Sequence, residues 1–96
     1  MNLQKLVSTR EGHKKVAEMQ LADIAEDTCN EELQDILDYV QEKADVIKML
    51  NEKIVAQTDV AEIEAEIIAS DGYLFDLTKK IKKQQINYFR ATITVQ

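Results

Sequence analysis

The fold is decided by residues 33–54, which read LQDILDYVQEKADVIKMLNEKI. Apolar residues recur here at alternating steps of four and three, which is the spacing of a heptad repeat. The seam positions are Leu33, Leu37, Val40, Ala44, Ile47, Asn51 and Ile54. This pattern predicts an amphipathic helix over about residues 29–55, with one apolar face packed against another helix.

A second heptad seam follows after a short connection at residues 56–59. Its positions are Val60, Ile63, Ile67, Ser70, Leu74, Leu77, Ile81, Gln84 and Tyr88. A connection of about four residues reverses the chain, so the two helices are predicted to form an antiparallel hairpin. The later helix is predicted over about residues 59–91. We favour a continuous helix through Gly72 because the seam keeps its phase there; a turn at this residue is the alternative.

Another helix is predicted before the hairpin, over about residues 2–26. Its apolar stripe consists of Leu3, Leu6, Val7, Val16, Ala17, Leu21 and Ile24. Ser8 and Glu11 form a possible capping box, so the helix either begins at Ser8 or runs unbroken through Gly12, which we favour. The predicted fold class is therefore all-α: an antiparallel helical hairpin extended to an up-down-up three-helix bundle or coiled coil. We expect residues 1–96 to form a single helical domain, and the β-branched end of the chain is typical of a segment of a longer polypeptide.

Composition narrows the function classes. The chain has no proline, two glycines, 45% hydrophobic residues, only 5% aromatic residues and a net charge of −6. This charge disfavours non-specific binding to nucleic acid or to an anionic membrane. With Cys29 as the only cysteine there is no intramolecular disulfide, and no apolar run is long enough for a signal peptide or membrane span. We expect a soluble, cytoplasmic protein.

Charge is segregated along the chain. Residues 26–45 hold eight acids and one lysine, whereas residues 79–90 hold four lysines and one arginine with no acid. A hairpin folded about residue 57 predicts three pairings: Asp35 with Lys79, and the two acids Glu31 and Glu32 with the two lysines Lys82 and Lys83. A fold about residue 28 predicts two more, Lys14–Glu42 and Arg10–Asp45. These pairings favour the up-down-up arrangement, although each exposed pair contributes only about 0–1 kcal/mol.

No residue set predicts catalysis, metal binding or a cofactor. His13 is the only histidine and has no cysteine at ligand spacing. Acidic neighbours disfavour a reactive thiolate at Cys29, which is expected to be a half-buried loop residue. Residues 62–66 carry three glutamates without the histidines of a di-iron bundle, so they are expected to form a solvated face. The chain is predicted not to be an enzyme.

Polar residues on the two seams are candidates for setting helix register. Asn51, Ser70 and Gln84 occupy seam positions. A buried polar residue in such a seam lowers stability but selects register and partner. A partly hydrated site near the connection is the alternative for Asn51.

A second apolar stripe provides the best functional clue. Ala61, Ile68, Phe75 and Phe89 are separated by multiples of seven and lie away from the main seam. A helix with two apolar faces contacts two neighbours, so this stripe is expected to pack against the first helix. A partner or second copy is the alternative.

A basic run follows the stripe along the same helix. It consists of Lys79, Lys80, Lys82 and Lys83. Binding of nucleic acid or phosphoinositide by this patch is conceivable. The favoured interpretation is pairing with acids of the preceding helix.

Two segments, IKMLNEKI at residues 47–54 and EIEAEIIASDGY at residues 62–73, carry a family resemblance. Together they resemble a helical, coiled-coil region near the start of Pao/BEL-type retroelement polyproteins of animals, over about residues 14–84. Gly72 departs from that pattern, which usually has a charged residue there. The resemblance implies an assembly role and no catalytic residue.

The sequence therefore predicts a non-enzymatic helical module for protein–protein interaction or self-assembly. The alternative is a small acidic regulatory or inhibitory binding protein of viral or bacterial type. Neither hypothesis identifies the partner.

Overall fold

A computed structural model describes the backbone of residues 2–94 and the side chains of residues 2–88. Three helices form the chain: α1 (Leu3–Ala22), α2 (Asn30–Gln57) and α3 (Val60–Thr94), with no strand in the described part. Helix α2 packs against both α1 and α3. The prediction of an all-α three-helix bundle is confirmed.

Both helices that contain glycine are continuous. Helix α1 runs through Gly12 and α3 runs through Gly72, as the favoured sequence interpretations predicted. A Cβ atom added at either glycine would have no neighbour within 4 Å. Neither glycine is therefore required by packing among the residues that the structure describes.

The first connection differs from its prediction. Helix α1 ends at Ala22 rather than near residue 26. The last turn tightens there, because the Asp23 amide is shared between the Met19 and Gln20 carbonyls and the Ile24 amide donates to Leu21, three residues back. The Thr28 hydroxyl accepts from the Ala25 amide at 2.8 Å and closes a turn. Cys29, and not Thr28, caps α2: its Sγ accepts from the Glu32 amide at 3.4 Å. Cys29 is exposed, so its expected half-buried position was wrong.

The core consists of two apolar clusters along α2. The larger one contains Ala17, Leu33, Leu37, Val40, Ala44, Ile47, Leu77 and Ile81. The smaller one contains Leu6, Leu50 and Ile54. All seam positions predicted on α2 are buried, including Asn51. The heptad pattern of this helix therefore predicted its buried face correctly.

The register of the α2–α3 hairpin differs from a fold about residue 57. Only Thr58 and Asp59 join the two helices, so the reversal comes later in the chain. Asn51 consequently lies beside Ser70, and both contact the same guanidinium group.

Because of this shift, the lysines of α3 do not pair with the acids of α2 that were predicted as their partners. The ion pairs among described residues are Arg10–Glu11, Arg10–Glu66 and Lys14–Glu11. None of the five pairings predicted from charge is among them. The α1–α2 register does follow a reversal near residue 28, since Lys43 Nζ lies 3.3 Å from His13 Nδ1. The Arg10–Asp45 prediction was wrong because Arg10 points inward.

Candidate functional site

A buried arginine joins the three helices. Arg10, on α1, is only 8% exposed. Its Nη1 atom lies 3.1 Å from Asn51 Oδ1 on α2, and 3.0 Å from Glu66 Oε2 and 3.1 Å from Ser70 Oγ on α3. Its Nε atom donates to Glu11 Oε2 at 3.1 Å. We call Arg10, Asn51, Glu66 and Ser70 the polar centre.

Glu66 supplies the negative charge of the polar centre. Its side chain is 19% exposed, and it accepts hydrogen bonds from the Ser70 hydroxyl and from Arg10. Burial by itself would raise the pKa of Glu66, but the hydrogen bonds from Ser70 and Arg10 and the positive charge of Arg10 outweigh it and lower the pKa. The polar centre therefore holds Glu66 ionised.

Asn51 is the less satisfied member of the polar centre. Its Oδ1 accepts from Arg10, whereas its Nδ2 is buried and has no hydrogen-bond partner. An unpaired buried donor costs about 1–3 kcal/mol. The predicted seam residues Asn51 and Ser70 are thus buried at one point, where they can specify register at the expense of stability. Gln84 lies apart from them, half-buried at the edge between α1 and α3.

Arg10 was not predicted to be the residue that links the three helices. Leu6, Arg10, His13 and Ala17 follow steps of four, three and four, so Arg10 continues the apolar stripe of α1. This spacing was the available signal, and a positive charge on a stripe requires an acceptor on a facing helix.

A second polar contact joins α1 to α3 one turn further along. Lys14 Nζ lies 4.3 Å from the centroid of the Tyr73 ring, and the Tyr73 hydroxyl donates to Glu18 Oε1 at 3.2 Å. Burial and the Glu18 carboxylate raise the pKa of Tyr73, so its hydroxyl stays protonated. These contacts direct one edge of α3 toward α1.

The opposite side of α3 is apolar and exposed. Ile68 is 66% exposed and Phe75 is 64% exposed. With 100° between successive residues, both lie roughly opposite the buried residue Ser70. On the same side lie three small exposed residues, Ala61, Ala65 and Gly72.

We call Ala61, Ala65, Ile68, Gly72 and Phe75 the outer face of α3. Three members of the predicted second stripe belong to it, while the side chain of Phe89 lies outside the described residues. The expectation that the first helix covers this stripe was wrong, because α1 contacts the edge of α3 that carries Glu66 and Tyr73.

The basic run of α3 is exposed and borders this face. Lys79 Nζ lies 5.0 Å from the centroid of the Phe75 ring. Lys82 lines a shallow groove between α2 and α3 together with Asp45, whereas Lys80 and Lys83 line a groove beside Glu18 of α1. The basic run therefore extends to both sides of α3.

Two further properties bear on the chemistry of the site. Among the described residues, no group of three or more histidine, cysteine or acidic side chains could hold a metal ion. No described helix combines the length and apolar character needed to cross a lipid bilayer.

Comparison with known proteins gives no match: neither a family model, nor a curated protein, nor a solved structure matches the chain.

Proposed function

We propose that this chain is a helical protein–protein interaction or self-assembly module that binds another protein through the outer face of α3. The observation that carries the proposal is the exposure of Ile68 and Phe75, at 66% and 64%, on the side of α3 away from the core. Complete burial of such a side chain contributes about 1.5–3 kcal/mol, so covering both gives a partner a substantial driving force.

The arrangement of the core supports this proposal. Leu77 and Ile81 bury the inner side of α3, and Arg10 ties Glu66 and Ser70 to the other helices. Helix α3 is thus anchored without help from Ile68 or Phe75. An apolar face that folding does not use is typical of a binding surface.

Site-specific photocrosslinking tests the proposal without assuming which protein binds. A photoreactive phenylalanine analogue at position 75 is expected to crosslink to another polypeptide, whether a second copy or a different protein. Position 19 on α1 is the matched control, because Met19 is an equally exposed apolar residue at 66%. Absence of crosslinks at position 75, or equal crosslinking at both positions, would contradict the proposal.

A second candidate is the small acidic regulatory or inhibitory binding protein. It is supported by the exposed acids Asp35, Asp38, Glu42 and Asp45 of α2, none of which forms an ion pair among the described residues. This candidate places the binding surface on α2. Asp38→Lys and Glu42→Lys would then abolish partner binding while Phe75→Glu would not.

Three sequence predictions accompany the first proposal. The module is proposed to be non-enzymatic and cytoplasmic. The resemblance of residues 14–84 to a Pao/BEL-type polyprotein region stays a prediction, and its implied assembly role agrees with the proposed self-association.

A further inference from the structure

We infer that the occupant of the outer face of α3 is the same face of a second copy, running antiparallel, with the two-fold axis near Gly72. This inference rests on the proposed function and specifies its partner. A two-fold pair requires a face that is complementary to itself when reversed. The outer face of α3 meets this requirement in its apolar residues, in its small residues and in its charges.

The large apolar residues are complementary under reversal. Ile68 and Phe75 are seven residues, or about two helical turns, apart. An antiparallel alignment centred between them places Phe75 against the partner's Ile68, and Ile68 against the partner's Phe75. Both exposed side chains of each copy are then covered by the same contact.

Gly72 lies at the centre of this alignment. A glycine in a helix interior costs about 1 kcal/mol relative to alanine, and no contact in the described part of the structure requires one at this position. A glycine where two helices cross lets their backbones approach closely. Gly12 of α1 is equally unconstrained, but its neighbours one turn away are Ser8 and Lys15 rather than large apolar residues.

Charge selects the direction of the pair. The first half of α3 carries Glu62 and Glu64, and the second half carries the basic run. In the antiparallel alignment Glu64 lies beside the partner's Lys82 on one flank, and Glu62 lies beside the partner's Lys80 on the other. A parallel pair would instead place acids beside acids and lysines beside lysines, which is unfavourable.

The molecular surface is large enough for such an interface. The solvent-accessible surface is 6836 Å² for an 11.0 kDa chain, whereas a compact monomer of this mass has about 5,600 Å². Contact along residues 61–82 extends over about 33 Å of helix. A stable dimer of standard size buries about 800 Å² on each partner.

A charge-swap experiment tests the inferred partner and its orientation. Sedimentation equilibrium of the full chain is expected to show a dimer. Glu64→Lys alone, and Lys82→Glu alone, each place like charges in contact twice and are expected to weaken association by roughly tenfold or more. An equimolar mixture of the two variants is expected to form a heterodimer. One variant then carries lysine at both positions and the other carries glutamate at both, so each contact across the interface joins opposite charges.

Matched controls carry the same charge changes on α2, at the exposed residues Glu52 and Lys53. Glu52→Lys and Lys53→Glu are expected to dimerise like the unmodified chain. Circular dichroism of every variant verifies that the helices are intact.

Three results would overturn the inference: a monomer at all concentrations, single variants that dimerise like the controls, or a mixture that fails to associate. A monomer that still crosslinks another protein from position 75 would leave the proposed function standing and exclude the second copy. A dimer that crosslinks from position 19 rather than from position 75 would overturn both.

Discussion

The two sides of α3 differ in a way that reverses the usual distribution of polarity. On the inner side Ser70 is buried and Glu66 is mostly covered, whereas on the outer side Ile68 and Phe75 are largely exposed. The inner polar residues are tolerated because Arg10 supplies a counter-charge and hydrogen-bond donors. The outer apolar residues stay exposed among the described residues, although Lys79 Nζ lies 5.0 Å from the centroid of the Phe75 ring. This difference indicates that the inner side specifies the fold, and it is the basis for proposing the outer side as a binding surface.

The largest difference in stability is expected when a charge is introduced on the inner side or on the outer side of α3. Leu77→Glu puts a carboxylate at a position that is 3% exposed and should lower the free energy of unfolding by about 4 kcal/mol. Phe75→Glu should change it by less than about 0.5 kcal/mol when the chain is monomeric. Urea denaturation at low protein concentration measures both. Equal losses in the two variants would show that the outer side also stabilises the fold.

Removal of the acid of the polar centre should give the next largest effect. Glu66→Ala leaves the buried Arg10 with only the half-exposed Glu11 as a carboxylate partner, which should cost about 3 kcal/mol. Glu52→Ala, at an exposed position on α2, is the control and should stay within about 0.5 kcal/mol. Urea denaturation compares the two. A Glu66→Ala variant as stable as its control would mean that Glu11 alone is a sufficient counter-ion for Arg10.

Lowering the pH should weaken the polar centre by protonating the Glu66 carboxylate. The folded-state pKa of Glu66 lies below its ordinary value of 4.5, so its contribution to stability is complete above that pH and is lost as the pH falls through the folded pKa. Glu66→Gln should therefore lose less stability than the unmodified chain between neutral pH and about pH 3. Thermal unfolding at each pH measures the difference. Parallel pH profiles for the two proteins would contradict the assignment.

The smallest effect concerns the two helical glycines. Gly12→Ala and Gly72→Ala should each raise the free energy of unfolding of the monomer by about 1 kcal/mol, since neither added Cβ meets a neighbour. Only Gly72→Ala should also weaken self-association, because its methyl group separates the crossing backbones. Paired denaturation and sedimentation experiments distinguish these effects. Identical behaviour of the two variants would remove the role assigned to Gly72.

Much of this fold follows from periodicity. Every seam position predicted on α2 is buried, including Asn51, and the α3 seam residue Ser70 is buried as well. Continuity through Gly72 was predictable because the seam keeps its phase. Heptad spacing is informative on α2 because this helix buries one narrow stripe. On α3 the seam prediction was wrong at Val60 and Ile67, which are 89% and 41% exposed.

The polar centre was only partly predictable. Spacing placed Asn51 and Ser70 on the seams but left open what they contact, and Arg10 was predicted to pair with Asp45 at the surface. The hairpin register was displaced because the connection is two residues long and lies later than residue 57. The segregation of charge along the sequence did not reveal the true hairpin register, since exposed ion pairs are too weak to set a register against apolar packing. The exposure of the outer face depended on where α1 packs, which periodicity alone does not determine.

The most direct test of the central claim is the mass of the chain in solution when the outer face of α3 is altered. Sedimentation equilibrium over a wide range of concentration should give a dimer for the unmodified chain and for Met19→Glu on α1. The same measurement should give a monomer for Ile68→Glu, although both altered residues are 66% exposed. A dimer that persists in Ile68→Glu, or one that is lost equally in Met19→Glu, would contradict the claim.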